Sequence, residues 1–129
     1  MKLRLQGSTL RLRLRRSEIE NLMNSGQVQD TVQFSNGGMI YSLVLDDSVG
    51  TPNAEFRGHE ISVRLPRDLG LSWCRGTETA ILSDRVTPTV LIERDFVRTA
   101  VEEPDDYDRF TNPRSGRKPP PPPKVGRVD

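Results

Sequence analysis

The sequence predicts an α+β fold in which two ββαββ-like halves, about 1–47 and 53–95, build a mostly antiparallel sheet around a pseudo-two-fold axis. Three observations predict it. Leu10, Leu12 and Leu14 alternate with Arg11, Arg13 and Arg15, and a period of two marks a strand with one buried face. The pattern returns fifty-one positions later, where Phe56 falls on Leu5, Gly58 on Gly7, Ile61 on Leu10, Val63 on Leu12 and Leu65 on Leu14. From Glu102 onward apolar residues are too sparse to offset the entropy of ordering the chain, so 1–100 is expected to fold as a single domain and 101–129 to form a largely disordered tail.

The first half opens with Leu3 and Leu5 leading into a turn at Gly7-Ser8, and the alternating leucines form the return strand. Ser17-Glu18-Ile19-Glu20 has the spacing of a capping box, with Glu20 reaching back to the serine backbone. Ile19, Leu22 and Met23 then share a helical face until Ser25-Gly26 stops it. Val28, Val32 and Phe34 alternate with polar residues as a strand, interrupted by Asp30 on the apolar side. Asn36-Gly37-Gly38 is a hairpin turn into a strand over 39–45. The polar stretch 46–53, with Gly50 and Pro52, is a loop between the halves.

The second half runs Ala54 to Arg57, turns at Gly58-His59 and continues through Ile61, Val63 and Leu65. Pro66-Arg67-Asp68 starts a helix whose apolar face is Leu69, Trp73 and Cys74, shortened to about a turn by Gly70. Two strands over 77–82 and 86–92 finish the half, and Pro88 leaves the start of the last one unpaired or at an edge. Beyond it lie an acidic group (Glu102, Glu103, Asp105, Asp106, Asp108) and a proline run, Pro119 to Pro123, expected to extend as a polyproline II rod.

Composition narrows the class. The 129 residues carry a net charge of +1, which argues against a protein built chiefly to neutralise phosphates. No apolar run approaches the roughly twenty residues that span a bilayer, and Lys2 and Arg4 alternating with leucines do not make a signal peptide. The lone Cys74 excludes an internal disulfide framework and fits a reducing compartment, so a soluble cytoplasmic protein without membrane contact is expected.

Lys2-Leu3-Arg4-Leu5-Gln6-Gly7 followed by Leu10-Arg11-Leu12-Arg13-Leu14 and Ser17-Glu18, together with Glu93-Arg94-Asp95-Phe96 and the acidic run that ends in Phe110-Thr111-Asn112-Pro113, resembles a family of short, uncharacterised bacterial proteins. The resemblance covers roughly residues 1–113 and omits the proline tail. Members commonly carry a cysteine two residues after that phenylalanine, where this chain has Arg98, so a metal or redox role for such a cysteine has no counterpart here. The resemblance implies no activity.

No recognisable catalytic constellation stands out, so the chain reads as a non-enzyme without a cofactor. His59, the lone histidine, falls at a hairpin tip as an exposed turn residue rather than a base. Cys74 falls on a helix's apolar face as a small core residue. One Cys and one His give no zinc spacing, and the acidic group lacks the loop glycine of a calcium site, leaving Asp105, Asp106 and Asp108 as weak candidates for a hard cation. The sharpest feature is the basic face of the first hairpin: Lys2, Arg4, Arg11, Arg13 and Arg15. Such a face could meet an acidic partner, although charged residues also guard strand edges, and no aromatics interleave for base stacking. The acidic segment could instead fold back and mask it. The reading that follows is a small binding or adaptor protein contacting a protein partner through this hairpin or the proline-rich tail, which suits an aromatic-lined groove. The alternatives are a metal-dependent enzyme or accessory subunit using Glu93, Asp95 and the acidic cluster, and an anion or nucleic-acid binder using the hairpin.

Overall fold

The computed structural model describes residues 1–96. In chain order the elements are β1 (Lys2–Gln6), β2 (Thr9–Leu14), α1 (Arg16–Ser25), β3 (Gln27–Phe34), β4 (Gly37–Asp46), β5 (Asn53–Arg57), β6 (Glu60–Pro66), α2 (Arg67–Arg75), β7 (Ala80–Ser83) and β8 (Thr89–Arg94). The expected acidic and proline-rich tail lies outside the described residues.

The strands form two sheets, ordered β1-β2-β8-β7 (sheet A) and β3-β4-β6-β5 (sheet B). Each sheet takes one hairpin from 1–47 and one from 53–95. Their central pairs are parallel: Leu12 lies beside Ile92 where β2 meets β8, and Leu43 beside Val63 where β4 meets β6. The mostly antiparallel sheet expected from sequence is therefore corrected to two mixed sheets. Hairpins carry a local signal in their turns, with Gly7 and Gly58 both at positive φ. The parallel pairs join strands distant in sequence and leave no such mark.

The alternation does set the faces. Leu10, Leu12 and Leu14, like Ile61, Val63 and Leu65, are buried in one cluster with Leu43, Leu45, Val90, Ile92, Leu22 and Trp73. Burying a leucine or isoleucine of this kind contributes about 2 kcal/mol.

Helix α1 starts two residues earlier than the Ser17 capping box implies. Arg15 is the N-cap, and Glu18 rather than Glu20 reaches back, its carboxylate accepting the Arg15 backbone N–H at 2.8 Å. Ile19 and Leu22 are buried as expected, and Gly26 closes the helix in the left-handed conformation, its N–H donating to the Leu22 carbonyl. Helix α2 runs nine residues, longer than the single turn that Gly70 suggests. The glycine has a packing reason instead. A Cβ there would stand 2.3 Å from Leu45 Cδ2, so α2 approaches sheet B more closely than any larger residue allows. Arg94 secures the other end of α2, its guanidinium donating to the carbonyls of Trp73 (2.7 Å) and Gly76 (3.1 Å) and lying over the Trp73 ring. Val86 and Pro88 precede β8, which begins at Thr89 as the proline requires, yet β8 is a central strand rather than an edge.

Asp30, the charge on the apolar side of β3, also has a partner. The α-amino group of Met1 donates to the Glu18 carboxylate and, at 2.9 Å, to Asp30 Oδ2, while the Tyr41 hydroxyl donates to the Met1 carbonyl. This joins the start of β1 in sheet A to α1 and to β3 and β4 in sheet B. Burial alone would push the Met1 amine down, but its hydrogen bonds to Glu18 and Asp30 outweigh this and hold it above its ordinary value of 8.0. Burial alone would push Glu18 up, but the amine and the Arg15 N–H hold it below its ordinary 4.5.

Two outcomes test this packing. The depressed Glu18 value makes its contribution complete above about pH 4.5 and lost as pH falls through the folded value. The raised amine value makes that contribution complete below about pH 8 and lost as pH rises through the folded value. Urea-unfolding free energies should thus plateau between these limits and fall on both sides. Glu18→Gln should lower the plateau by about 3 kcal/mol and flatten the alkaline limb. Gly70→Val should cost about 2 kcal/mol through overpacking against Leu45, read as a lower urea midpoint with an unchanged slope.

Candidate functional site

Alternation sends the leucines of the first hairpin inward, so Lys2 and Arg4 of β1 and Arg11 and Arg13 of β2 project from the outer face of sheet A. Pairing sets Lys2 beside Arg13 and Arg4 beside Arg11. The same rows continue across the sheet: Arg11 lies beside Leu91 and Leu91 beside Leu82, while Arg13 lies beside Glu93 and Glu93 beside Ala80. One row therefore reads Arg4, Arg11, Leu91, Leu82 from edge to edge. Leu82 is 61% exposed and Leu91 half-buried, an apolar half next to the cationic one. Arg15, the fifth basic residue of the expected face, lies beyond the strand at the α1 N-cap, with Nε 3.6 Å from Glu18.

Part of the positive charge is answered within the sheet. Arg13 Nε donates to Glu93 Oε1 at 2.9 Å, Arg11 Nε lies 3.3 Å from the same oxygen, and Lys2 Nζ lies 3.1 Å from Asp95 Oδ2. Half-exposed pairs of this kind contribute about 0–1 kcal/mol each. Their larger effect is positional, since one carboxylate between two guanidinium groups holds both against the strand. Among the described residues, four cations (Lys2, Arg4, Arg11, Arg13) face two carboxylates (Glu93, Asp95). Arg4 makes no ion pair among the described residues.

Glu93 and Asp95, which the sequence also offers as metal ligands, are thus engaged with cations. Among the described residues no three His, Cys, Asp or Glu side chains gather as a ligand set, and Asp105, Asp106 and Asp108 lie outside those residues. His59 is exposed at the β5–β6 turn, where its carbonyl accepts the Ile40 N–H. Cys74 is buried, and burial pushes its thiol up, away from the reactive thiolate. No described helix is long and apolar enough to cross a membrane.

Sequence reasoning missed the Leu82–Leu91 half of this face and the roles of Glu93 and Asp95. A signal was present: with Val90 and Ile92 inward, alternation sends Leu91 and Glu93 outward. It also missed a shallow cleft of about 220 Å³ at the tips of the sheet B hairpins, lined by Phe34, Met39, Phe56 and His59.

These elements define a small α+β protein of two mixed sheets. Residues 1–114 match the model of a family of unknown function (DUF7009), and the chain belongs to that family. No curated protein and no solved structure matches it.

Replacing Glu93 by Gln should release Arg11 and remove the carboxylate that Arg13 Nε donates to. The expected result is a stability loss of about 1 kcal/mol and longer retention on a polyanionic column, with far-ultraviolet dichroism unchanged.

Proposed function

We propose that this is a small non-enzymatic binding or adaptor protein that receives an acidic protein partner on the outer face of sheet A. One observation carries the reading: the row Arg4, Arg11, Leu91, Leu82 sets two guanidinium groups, one of them without an ion pair among the described residues, directly beside exposed apolar surface. Protein interfaces combine an apolar centre with arginine anchors, and a carboxylate-bearing partner would pair with Arg4 at the margin of this row. A nucleic-acid strand fits this face less well. It would meet two carboxylates, and no aromatic side chain stands among Lys2, Arg4, Gln6, Arg11, Arg13, Ala80, Leu82, Leu91 and Glu93 for bases to stack on.

The scaffold beneath the face we read as two copies of one ββαββ unit about a pseudo-two-fold axis. The crossed hairpins support this, as do equivalent positions at the fifty-one-residue spacing: the helix N-caps Arg15 and Pro66, the buried helical residues Leu22 and Trp73, and the buried strand triplets. A cytoplasmic setting, where the buried free thiol of Cys74 stays reduced, completes the proposal.

The test is affinity capture with the full chain and with Arg4→Glu and Leu82→Asp variants, followed by titration of the captured protein against increasing salt. Each variant should weaken binding by roughly tenfold or more, equivalent to about 1.4 kcal/mol, and salt should weaken the wild-type complex. Capture that both substitutions leave unchanged would refute the assignment to this face.

A further inference from the structure

Among the described residues four strands end the two sheets, and three are defended against pairing with another chain. β1 carries Lys2 and Arg4, β5 carries Glu55 and Arg57, and β7 is four residues long. β3 is different. It runs eight residues, Gln-Val-Gln-Asp-Thr-Val-Gln-Phe, and its single charge, Asp30, is turned to the Met1 amine on the inner side. Val32 and Phe34 are 38% and 53% exposed at its far end.

The register fixes what this edge offers. The Gly26 carbonyl accepts the Leu45 N–H at 2.8 Å, and Phe34 closes the hairpin opposite Gly37. In an antiparallel ladder, residues whose backbone groups face the partner strand alternate with residues whose groups face away. Residues 28, 30, 32 and 34 therefore bond to β4, and Gln27, Gln29, Thr31 and Gln33 turn their N–H and C=O groups outward.

We propose that this edge pairs with the β3 edge of a second copy, antiparallel and centred on Thr31, joining the two B sheets into one continuous sheet. Three features select this occupant. Outward-facing groups must meet outward-facing groups, and centring on Thr31 does so: Thr31 meets Thr31 of the partner, and Gln29 meets Gln33 in both directions. Centring one residue earlier would set Asp30 directly against Asp30, which like-charge repulsion disfavours. The Thr31 register instead places Asp30 beside Val32 and Val28 beside Phe34, so the exposed apolar side chains at the end of β3 gain cross-strand neighbours. The edge is nearly neutral, so two copies approach without net repulsion, whereas the positively charged β1 edge would oppose its own image.

The experiment is sedimentation equilibrium and light scattering of the full chain, with dichroism as the check on folding. Wild type should show twice the 14.6 kDa of one chain, dissociating on dilution. Thr31→Pro removes an outward N–H without touching the β4 ladder and should halve the mass. Gln29→Lys with Gln33→Lys should also halve it, whereas Gln29→Glu with Gln33→Lys sets opposite charges face to face and should retain the pair. The lysine pair decides the matter should the proline variant fail to fold. A wild-type mass of one chain at the highest soluble concentration overturns the proposal. So does a dimer indifferent to the lysine pair, since it would form through another surface.

Discussion

A chain terminus is usually left to solvent, because burying an ammonium group is costly unless something answers its charge. In this protein two carboxylates answer it. The Met1 amine sits between Glu18 and Asp30, and the Tyr41 hydroxyl fixes the carbonyl that follows. The arrangement ties sheet A to sheet B at a point where neither sheet has a strand to share. It explains the acidic residue inside an otherwise apolar strand face, and it explains why α1 is capped by Glu18: the same carboxylate serves the helix N-terminus through the Arg15 N–H and the chain terminus through its other oxygen. Taking Glu18 away leaves the buried amine with Asp30 alone and the helix uncapped at once.

That linkage marks the limit of what the residues disclosed beforehand. Leucines 10, 12 and 14 announced an inward face because alternation is a local property, and the burial of Ile61, Val63 and Leu65 was readable for the same reason. Turn glycines announced the hairpins. Asp30 read as an interruption because its partner is a backbone amine, which no side-chain pattern encodes. Gly70 read as a helix weakener because propensity concerns the isolated helix, whereas the nearness of Leu45 belongs to the tertiary structure. The parallel pairs were invisible for a like reason. Leu12 and Ile92 pair across about eighty residues of sequence, and nothing near either residue points to the other.

The basic hairpin shows the same division between local and distant causes. Sequence placed Lys2, Arg4, Arg11 and Arg13 on one side of a ribbon. The neighbouring strand β8, about eighty residues further along the chain, changes what that side is. Glu93 occupies the space between two guanidinium groups, and Leu91 and Leu82 extend the row with apolar surface. A stripe that read as a basic face becomes a mosaic, with Arg4 at one margin and apolar surface at the other. Such surfaces discriminate by shape and by charge pattern together, unlike a uniform cationic patch, which attracts any polyanion.

The crossing of hairpins between the sheets also bears on how the molecule comes into being on the ribosome. Sheet B has all four of its strands once Pro66 has emerged, so it can close early around β4 and β6. Sheet A cannot, because β8, one of its two central strands, comes last in chain order among the described strands. Until then the opening hairpin lacks the strand that pairs with β2 in the finished sheet, and alternating arginines are the kind of charge that opposes association of such an exposed edge.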